Sequence, residues 1–135
     1  MNVMIGKYVK CESANGEMLS QGENKLFIKT TKMIKVSVFY PNGEGKSFDM
    51  DYYCDKHIPL VKSNVGEALK SVSVEQGLAG GTPGSAPEYL VMGHLFFDSV
   101  ESFQLSFVPH MTLFMSDVPN FTNIIPVAQI SEVKM

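Results

Sequence analysis

The residues best suited to chemistry fall in one short segment, FDMDYYCDKHIPLV, at residues 48–61. Histidine gains and loses a proton near cellular pH, so His57 is a candidate general acid or base. Tyr52 and Tyr53 are candidate hydrogen-bond donors to an oxygen atom of a bound ligand. In the alternative interpretation, His57 is a partly buried imidazole with one satisfied hydrogen bond, and the tyrosines only pack. Which interpretation holds depends on how the surrounding helices and strands position these side chains.

The segment is predicted to form a helix that turns His57 toward the core. Asp49 is the predicted N-cap, because its carboxylate can accept from the free amides of the first turn, and Ser47 is the competing cap. Tyr53 and His57 are four residues apart, so they lie one turn apart on one face and can reach the same small cavity. Pro59 lacks an amide hydrogen, and we therefore expect the helix to kink or loosen beside His57. The buried stripe is expected to contain Met50, Tyr53, His57, Leu60, Val61 and Val65.

Two further histidines are candidate ligand contacts. His94 lies in an apolar predicted strand, and it can join His57 only if its side chain faces the helices. His110 follows a proline in the second predicted helix and can approach the same space or lie in solvent. The histidines show no HxH or HExxH spacing, and Cys11 and Cys54 show no CxxC spacing, so no metal site is predicted.

Composition narrows the classes of partner. The chain has 135 residues and a net charge of -3, and all 11 basic residues are lysine. Without arginine the chain lacks the usual bidentate contact to phosphate, and its negative charge disfavours nucleic acid and anionic membranes. No apolar run approaches the roughly twenty residues that span a bilayer, and no secretory signal pattern is present. We expect a cytoplasmic protein with a small, weakly polar ligand.

The order of the predicted elements indicates an α+β fold. Residues 1–32 form a predicted N-terminal extension with a possible peripheral hairpin, and residues 33–135 form one domain. Four strands are predicted, at residues 34–40, 71–78, 88–97 and 127–133. A helix follows the first and the third strand, and the second helix is predicted to be capped by Asp98 and broken by Pro109. This ferredoxin-like βαββαβ order gives a four-stranded antiparallel sheet with both helices on one face.

The other face of that sheet is left bare. Because the apolar third strand has to bury both of its sides, the sequence predicts that two copies pair face to face. We therefore expect a homodimer through the open sheet face.

The sequence resembles the EthD family, small proteins of the dimeric α+β barrel superfamily. FDMDYYCDKHIPLV matches a family pattern of Phe-Asp, paired tyrosines and a histidine followed by Pro-Leu. DVPNFTNIIPVAQIS, from Asp117 to Ser131, is similar to the family's closing Asp-x-Pro-Asn-Phe-Thr segment. The resemblance runs from about Met33 to the C-terminus and leaves out the first 32 residues.

The resemblance implies a ferredoxin-like protomer, a dimeric α+β barrel, and a cleft between sheet and helices. Family members are associated with the catabolism of ethers and other small organic compounds alongside oxygenase systems. By position, His57, Tyr53 and Asp49 carry over as catalytic candidates. No cofactor is predicted: haem is disfavoured because the chain has no tryptophan and no histidine stands out as an axial ligand.

Two kinds of function fit these observations. The first is a cofactor-independent enzyme, such as an isomerase or cyclase, that acts on a small, largely apolar oxygenated compound with His57 as acid or base. The second is a non-catalytic ligand-binding or accessory protein of an oxygenase system. A cofactor-free monooxygenase or other oxidoreductase is a further alternative that rests on family association alone.

Overall fold

Four antiparallel strands form one sheet in the computed structural model, which describes residues 32–135. The strands are β1 (Ile34–Pro41), β2 (Ser71–Gln76), β3 (Tyr89–Phe97) and β4 (Val127–Glu132). Their order across the sheet is β2-β3-β1-β4, and each neighbouring pair is antiparallel. With two helical segments this is the ferredoxin-like α+β fold, so the predicted fold is confirmed. The hairpin predicted near the N-terminus falls in residues 1–31, outside the described residues.

The first helical segment, residues 50–65, carries most of the candidate chemistry. It consists of an α-helical turn at Met50–Tyr52, a π-helical turn at Tyr53–His57 and an α-helix at Ile58–Val65, and a 3-10 turn at Gly66–Ala68 follows. The Asp49 side chain accepts from the amide of Tyr52 at 3.0 Å, so Asp49 is the N-cap as predicted. Of the predicted stripe, Tyr53, His57, Val61 and Val65 are buried.

A π-helical turn lies beside His57, where the helix was expected to kink or loosen. Its wider register is marked by a hydrogen bond from the amide of Ile58 to the carbonyl of Tyr53. A new α-helix then begins at Ile58, which places Pro59 in a first turn, where proline is well tolerated. The π-helical turn thus ends at His57, immediately before the α-helix that contains Pro59.

The second helical segment, residues 100–120, is broken as predicted. It consists of α-helices at Val100–Ser106 and Met111–Asp117 and 3-10 turns at Val108–His110 and Val118–Asn120. The first 3-10 turn contains Pro109, which ends the regular helix. The predicted cap was wrong by one residue: the Ser99 hydroxyl accepts from the amide of Ser102 at 3.0 Å. Asp98 pairs instead with Lys70, at 3.5 Å.

Both helical segments pack on one face of the sheet. The larger core cluster joins strand residues to helix residues: Ile34, Val36, Leu95 and Phe97 with Val61, Val65, Phe103 and Phe114. The opposite face, which we call the open face, carries the alternate side chains of the strands, including Phe39, Met92 and Phe96. Within residues 32–135, every helix is too short or too polar to cross a bilayer.

Candidate functional site

A histidine and a carboxylate from different helical segments form the centre of the candidate site. Nδ1 of His57 lies 2.9 Å from Oδ2 of Asp117, and these side chains are 8% and 14% exposed. Burial raises the pKa of Asp117, but hydrogen bonds from three neighbouring side chains outweigh burial and hold this pKa below its usual value. Asp117 is therefore a carboxylate, which can only accept, so Nδ1 of neutral His57 carries the proton and Nε2 presents its lone pair.

Asp117 is anchored by two side chains besides His57. The Tyr52 hydroxyl donates to Oδ1 of Asp117 at 2.8 Å, and the Asn120 amide donates to the same oxygen at 2.9 Å. The hydrogen bond to this carboxylate is the main reason that the pKa of Tyr52 is raised. Tyr52 therefore orients the carboxylate, and it does not line the cavity beside His57.

A small cavity of about 70 Å³ lies between the helical segments and the sheet. Among residues 32–135, the polar side chains that line it are those of Tyr40, Tyr53 and His57. The rest of the wall is Gly93 and apolar side chains: Val38, Ile58, Val61, Leu95, Phe107, Phe114, Met115, Val118 and Pro126. His57 is 6% exposed, and its Nε2 has no hydrogen-bond partner among residues 32–135. His57, whose Nε2 is without a partner in the described part of the chain, thus lines a largely apolar cavity, and such a side chain can act as a base on a bound compound.

Tyr53 adds a hydrogen-bond donor to the same cavity. Its ring stacks on that of His57, with centroids 5.4 Å apart and an angle of 15° between the planes, because the π-helical turn places both side chains on one side. Burial raises the pKa of Tyr53 to about 12, although a hydrogen bond from Tyr40 opposes the rise. Tyr53 is therefore a neutral phenol at cellular pH. A neutral phenol that lines the cavity can donate its proton to an oxygen atom of a ligand.

Gly93 in β3 provides the room for the Tyr53 hydroxyl. A Cβ atom at this position would overlap the Tyr53 oxygen. We expect Gly93→Ala to lower the free energy of unfolding by about 1–3 kcal/mol, since a rigid buried ring would have to move. Urea unfolding of this variant beside Gly81→Ala, where an added Cβ meets nothing within 4 Å, measures the effect. Equal stability of the two variants would contradict the close approach.

The stability of the protein should fall in alkali because of Tyr53. Its folded-state pKa of about 12 lies above the reference value of 10.0, so the folded state keeps a proton that the unfolded state loses. The contribution of Tyr53 to the free energy of unfolding is complete below pH 10 and is lost as the pH rises through 12. A shift of two pKa units corresponds to roughly 2–3 kcal/mol. Urea unfolding of wild type and Tyr53→Phe from pH 8 to 11.5 tests it. The variant should lose less stability, whereas parallel curves would contradict the assignment.

The two helical segments are held together at the site by backbone contacts. The amide of Asp49 donates to the carbonyl of Phe121 at 2.7 Å, and Phe48 and Thr122 form an isolated β-bridge. The Phe121 ring lies 4.7 Å from that of His57, centroid to centroid. These contacts fix the end of the second segment, and with it Asp117, against the start of the first.

The remaining predicted site residues lie away from the cavity. Asp49 is exposed and caps the first helical segment. His94 projects from the open face, opposite the helices, where its Nδ1 lies 2.9 Å from Ser37, so it does not join His57. His110 is half buried beside Phe114, at 6.1 Å between ring centroids, and it does not line the cavity. Only His57 and Tyr53 meet there, with Tyr52 behind them.

Sequence reasoning did not single out Asp117 as a site residue. One local signal was present: Asp117 ends the helix Met111–Asp117, where the negative end of the helix dipole disfavours a carboxylate. An acidic residue that breaks this rule is often kept for function. Tyr40 and Gly93 had no such signal, because only the packing of the sheet against the first helical segment brings them to Tyr53.

Comparison with known proteins identifies the family. The model of the EthD domain matches residues 42–124, a span that contains both His57 and Asp117. The chain belongs to the EthD family. An EthD-like protein from Ralstonia eutropha JMP134 is 44% identical, with a TM-score of 0.73, over 78% of this chain and 95% of that one. No curated protein matches the chain.

A second solved structure shows the same fold. The EthD family protein from Bacillus halodurans C-125, named for ethyl tert-butyl ether, is 20% identical, with a TM-score of 0.57. The match covers 76% of this chain and 99% of that one. At this identity the likeness concerns the fold alone.

Proposed function

We propose that this EthD family protein is a cofactor-independent acid–base catalyst that acts on a small, largely apolar compound with a carbonyl group. The observation that carries the proposal is the pairing of His57 with Asp117, which leaves the buried Nε2 as a base in an apolar cavity. Tyr53 supports it, because a neutral phenol in the same cavity can donate to an oxygen atom that becomes negative.

The proposed step is removal of a proton from the carbon next to the carbonyl. Nε2 of His57 takes the proton, and the electron pair of the C–H bond moves into an enolate whose oxygen accepts from the Tyr53 hydroxyl. The imidazolium then donates from Nδ1 to the Asp117 carboxylate, which stabilises its charge, and returns the proton to the same carbon or, in a β,γ-unsaturated carbonyl compound, to the γ carbon of the dienolate. Return to the γ carbon moves the double bond, which is an isomerisation, and no electron acceptor is needed.

The cavity limits the size and polarity of the substrate. A volume of about 70 Å³ holds only a small group, and the walls apart from Tyr40, Tyr53 and His57 are apolar. Met115, which is 51% exposed, forms part of the wall, and its unbranched side chain can move to widen the cavity. The proposed substrate class is therefore a small ketone, ester or lactone with an apolar remainder.

Hydrogen exchange tests this function directly. A panel of small ketones and lactones is incubated with the protein in deuterated water, and the loss of the C–H signal beside the carbonyl is followed by NMR. The proposal is supported if wild-type protein causes faster exchange than the Tyr53→Phe variant does. Binding of a panel compound without exchange would overturn it in favour of a ligand-binding or accessory role.

We further propose that two copies pair through the open face. Phe39, Met92 and Phe96 are partly exposed there, and Val127 is 54% exposed, which is apolar surface that a second copy can bury. Phe96→Glu is expected to shift the protein from dimer to monomer in sedimentation velocity, because it would bury a charge. Leu105→Glu, on the second helical segment and 73% exposed, is the matched control. A monomeric wild type would contradict this pairing.

A further inference from the structure

A row of polar side chains crosses the open face, one from each strand. In the strand register Ser37 of β1 lies between Gln129 of β4 and His94 of β3, and His94 lies opposite Ser73 of β2. Aromatic and apolar side chains flank the row on both sides, with Phe96 on one side and Phe39 and Met92 on the other. Together they form a groove of about 450 Å³, separate from the cavity at His57.

Hydrogen bonds within the row have a defined direction. Nε2 of His94 lies 3.3 Å from Oε1 of Glu75, and a carboxylate can only accept, so Nε2 carries the proton. Nδ1 of the neutral ring is then an acceptor, and the Ser37 hydroxyl, 2.9 Å away, donates to it. Ser37 and His94 are 3% and 7% exposed. The Ser73 hydroxyl donates to the other carboxylate oxygen of Glu75, Oε2, at 3.4 Å.

We propose that Ser37 is a nucleophile, that His94 is its base, and that the groove accepts a small ester with an apolar acyl group. A serine that donates to an imidazole whose far nitrogen donates to a carboxylate has the connections of a hydrolase triad, here with the two ring nitrogens exchanged. Glu75 is a positioning residue. Nothing in this proposal depends on the function proposed for His57.

The step balances with water as the second substrate. The Ser37 oxygen attacks the ester carbonyl while its proton passes to Nδ1 of His94. The tetrahedral intermediate collapses, and the same proton leaves with the alcohol. Water then attacks the acyl-serine through the same base and releases the acid. Two groups on the open face can donate to the transient oxyanion: Gln129, directly across from Ser37, and Lys35, which forms no ion pair with another described residue.

Covalent labelling tests the nucleophile. A small, uncharged alkyl fluorophosphonate is added to the full chain, and the labelled residue is located by peptide mass spectrometry. Label on Ser37 that is absent in Ser37→Ala and kept in Ser131→Ala, a serine on the same face, supports the proposal. Because a second copy would enclose the groove, protein concentrations on both sides of the dimer dissociation constant are used.

Rates of labelling separate catalysis from a structural role. His94→Gln is expected to slow labelling by roughly 100-fold or more, because a base is lost. Glu75→Gln should slow labelling about 10-fold, and Glu75→Asp should recover part of the rate. If Glu75 made only a structural polar contact, the labelling rate would not depend on a carboxylate at this position. His110→Gln, a histidine that lines neither the groove nor the cavity, should leave the rate unchanged. Absence of label on Ser37 at every concentration, or equal rates in wild type and His94→Gln, would overturn the proposal.

Discussion

Replacement of His57 by glutamine is expected to lower kcat/KM for proton exchange by about 100- to 10,000-fold, the range that a positioned general base contributes. Glutamine retains much of the volume and can still donate to Asp117, but its amide has no basic nitrogen. The packing of the 6% exposed side chain should therefore change little, and the chain should stay folded.

The measurement for His57→Gln combines exchange rates by NMR with the thermal midpoint. His110→Gln is the matched control, because that histidine is half buried but lies outside the cavity. Exchange that survives in His57→Gln would remove His57 from the mechanism. A loss of exchange together with a collapsed thermal midpoint would instead show that His57 is a structural residue.

The second large effect is expected at Asp117. Asp117→Asn removes the charge that fixes the proton on Nδ1 of His57 and stabilises the imidazolium, so kcat/KM should fall roughly 10- to 100-fold. The amide can also turn its NH2 group toward Nδ1, which would move the proton to Nε2 and leave no base in the cavity. Binding of the substrate should change much less, since Asp117 does not line the cavity.

A variant at Tyr52 separates the charge of Asp117 from its anchoring. Tyr52→Phe removes one donor to the carboxylate but leaves the bond between His57 and Asp117. Its kcat/KM should stay within about threefold of wild type, in line with the modest value of one hydrogen bond. If Tyr52→Phe and Asp117→Asn lowered kcat/KM equally, the orientation of Asp117 rather than its charge would be the important property.

The fold could be predicted in nearly all of its elements. Apolar residues alternate in IKVSVFY, which indicates a strand, whereas Tyr53, His57 and Val61 are spaced four residues apart, which indicates a helix. The order of the strands and helices then matched one common fold, the ferredoxin-like arrangement. The errors were local. Asp98 was chosen as a cap over the neighbouring Ser99, because both residue types cap helices and only the backbone decides between them.

Only half of the candidate site, the pair Tyr53 and His57, could be predicted from the sequence. Tyr53 and His57 come from one helical segment, so their meeting follows from local geometry. The partner of His57 comes from a residue 60 positions away, and no local pattern specifies such a pair. Alternation placed Met92, His94 and Phe96 on one face of β3, but it does not tell which face meets the helices.

The sequence by itself determined the element order, the family pattern and the inward direction of His57, because these depend on spacing within single elements. Only the tertiary structure decided that Asp117 directs the proton of His57, that Gly93 admits the Tyr53 hydroxyl and that His94 lies on the open face. Each of these depends on which surfaces pack together. Hydrogen bonds form between atoms that packing brings within about 3 Å, whatever their distance along the chain.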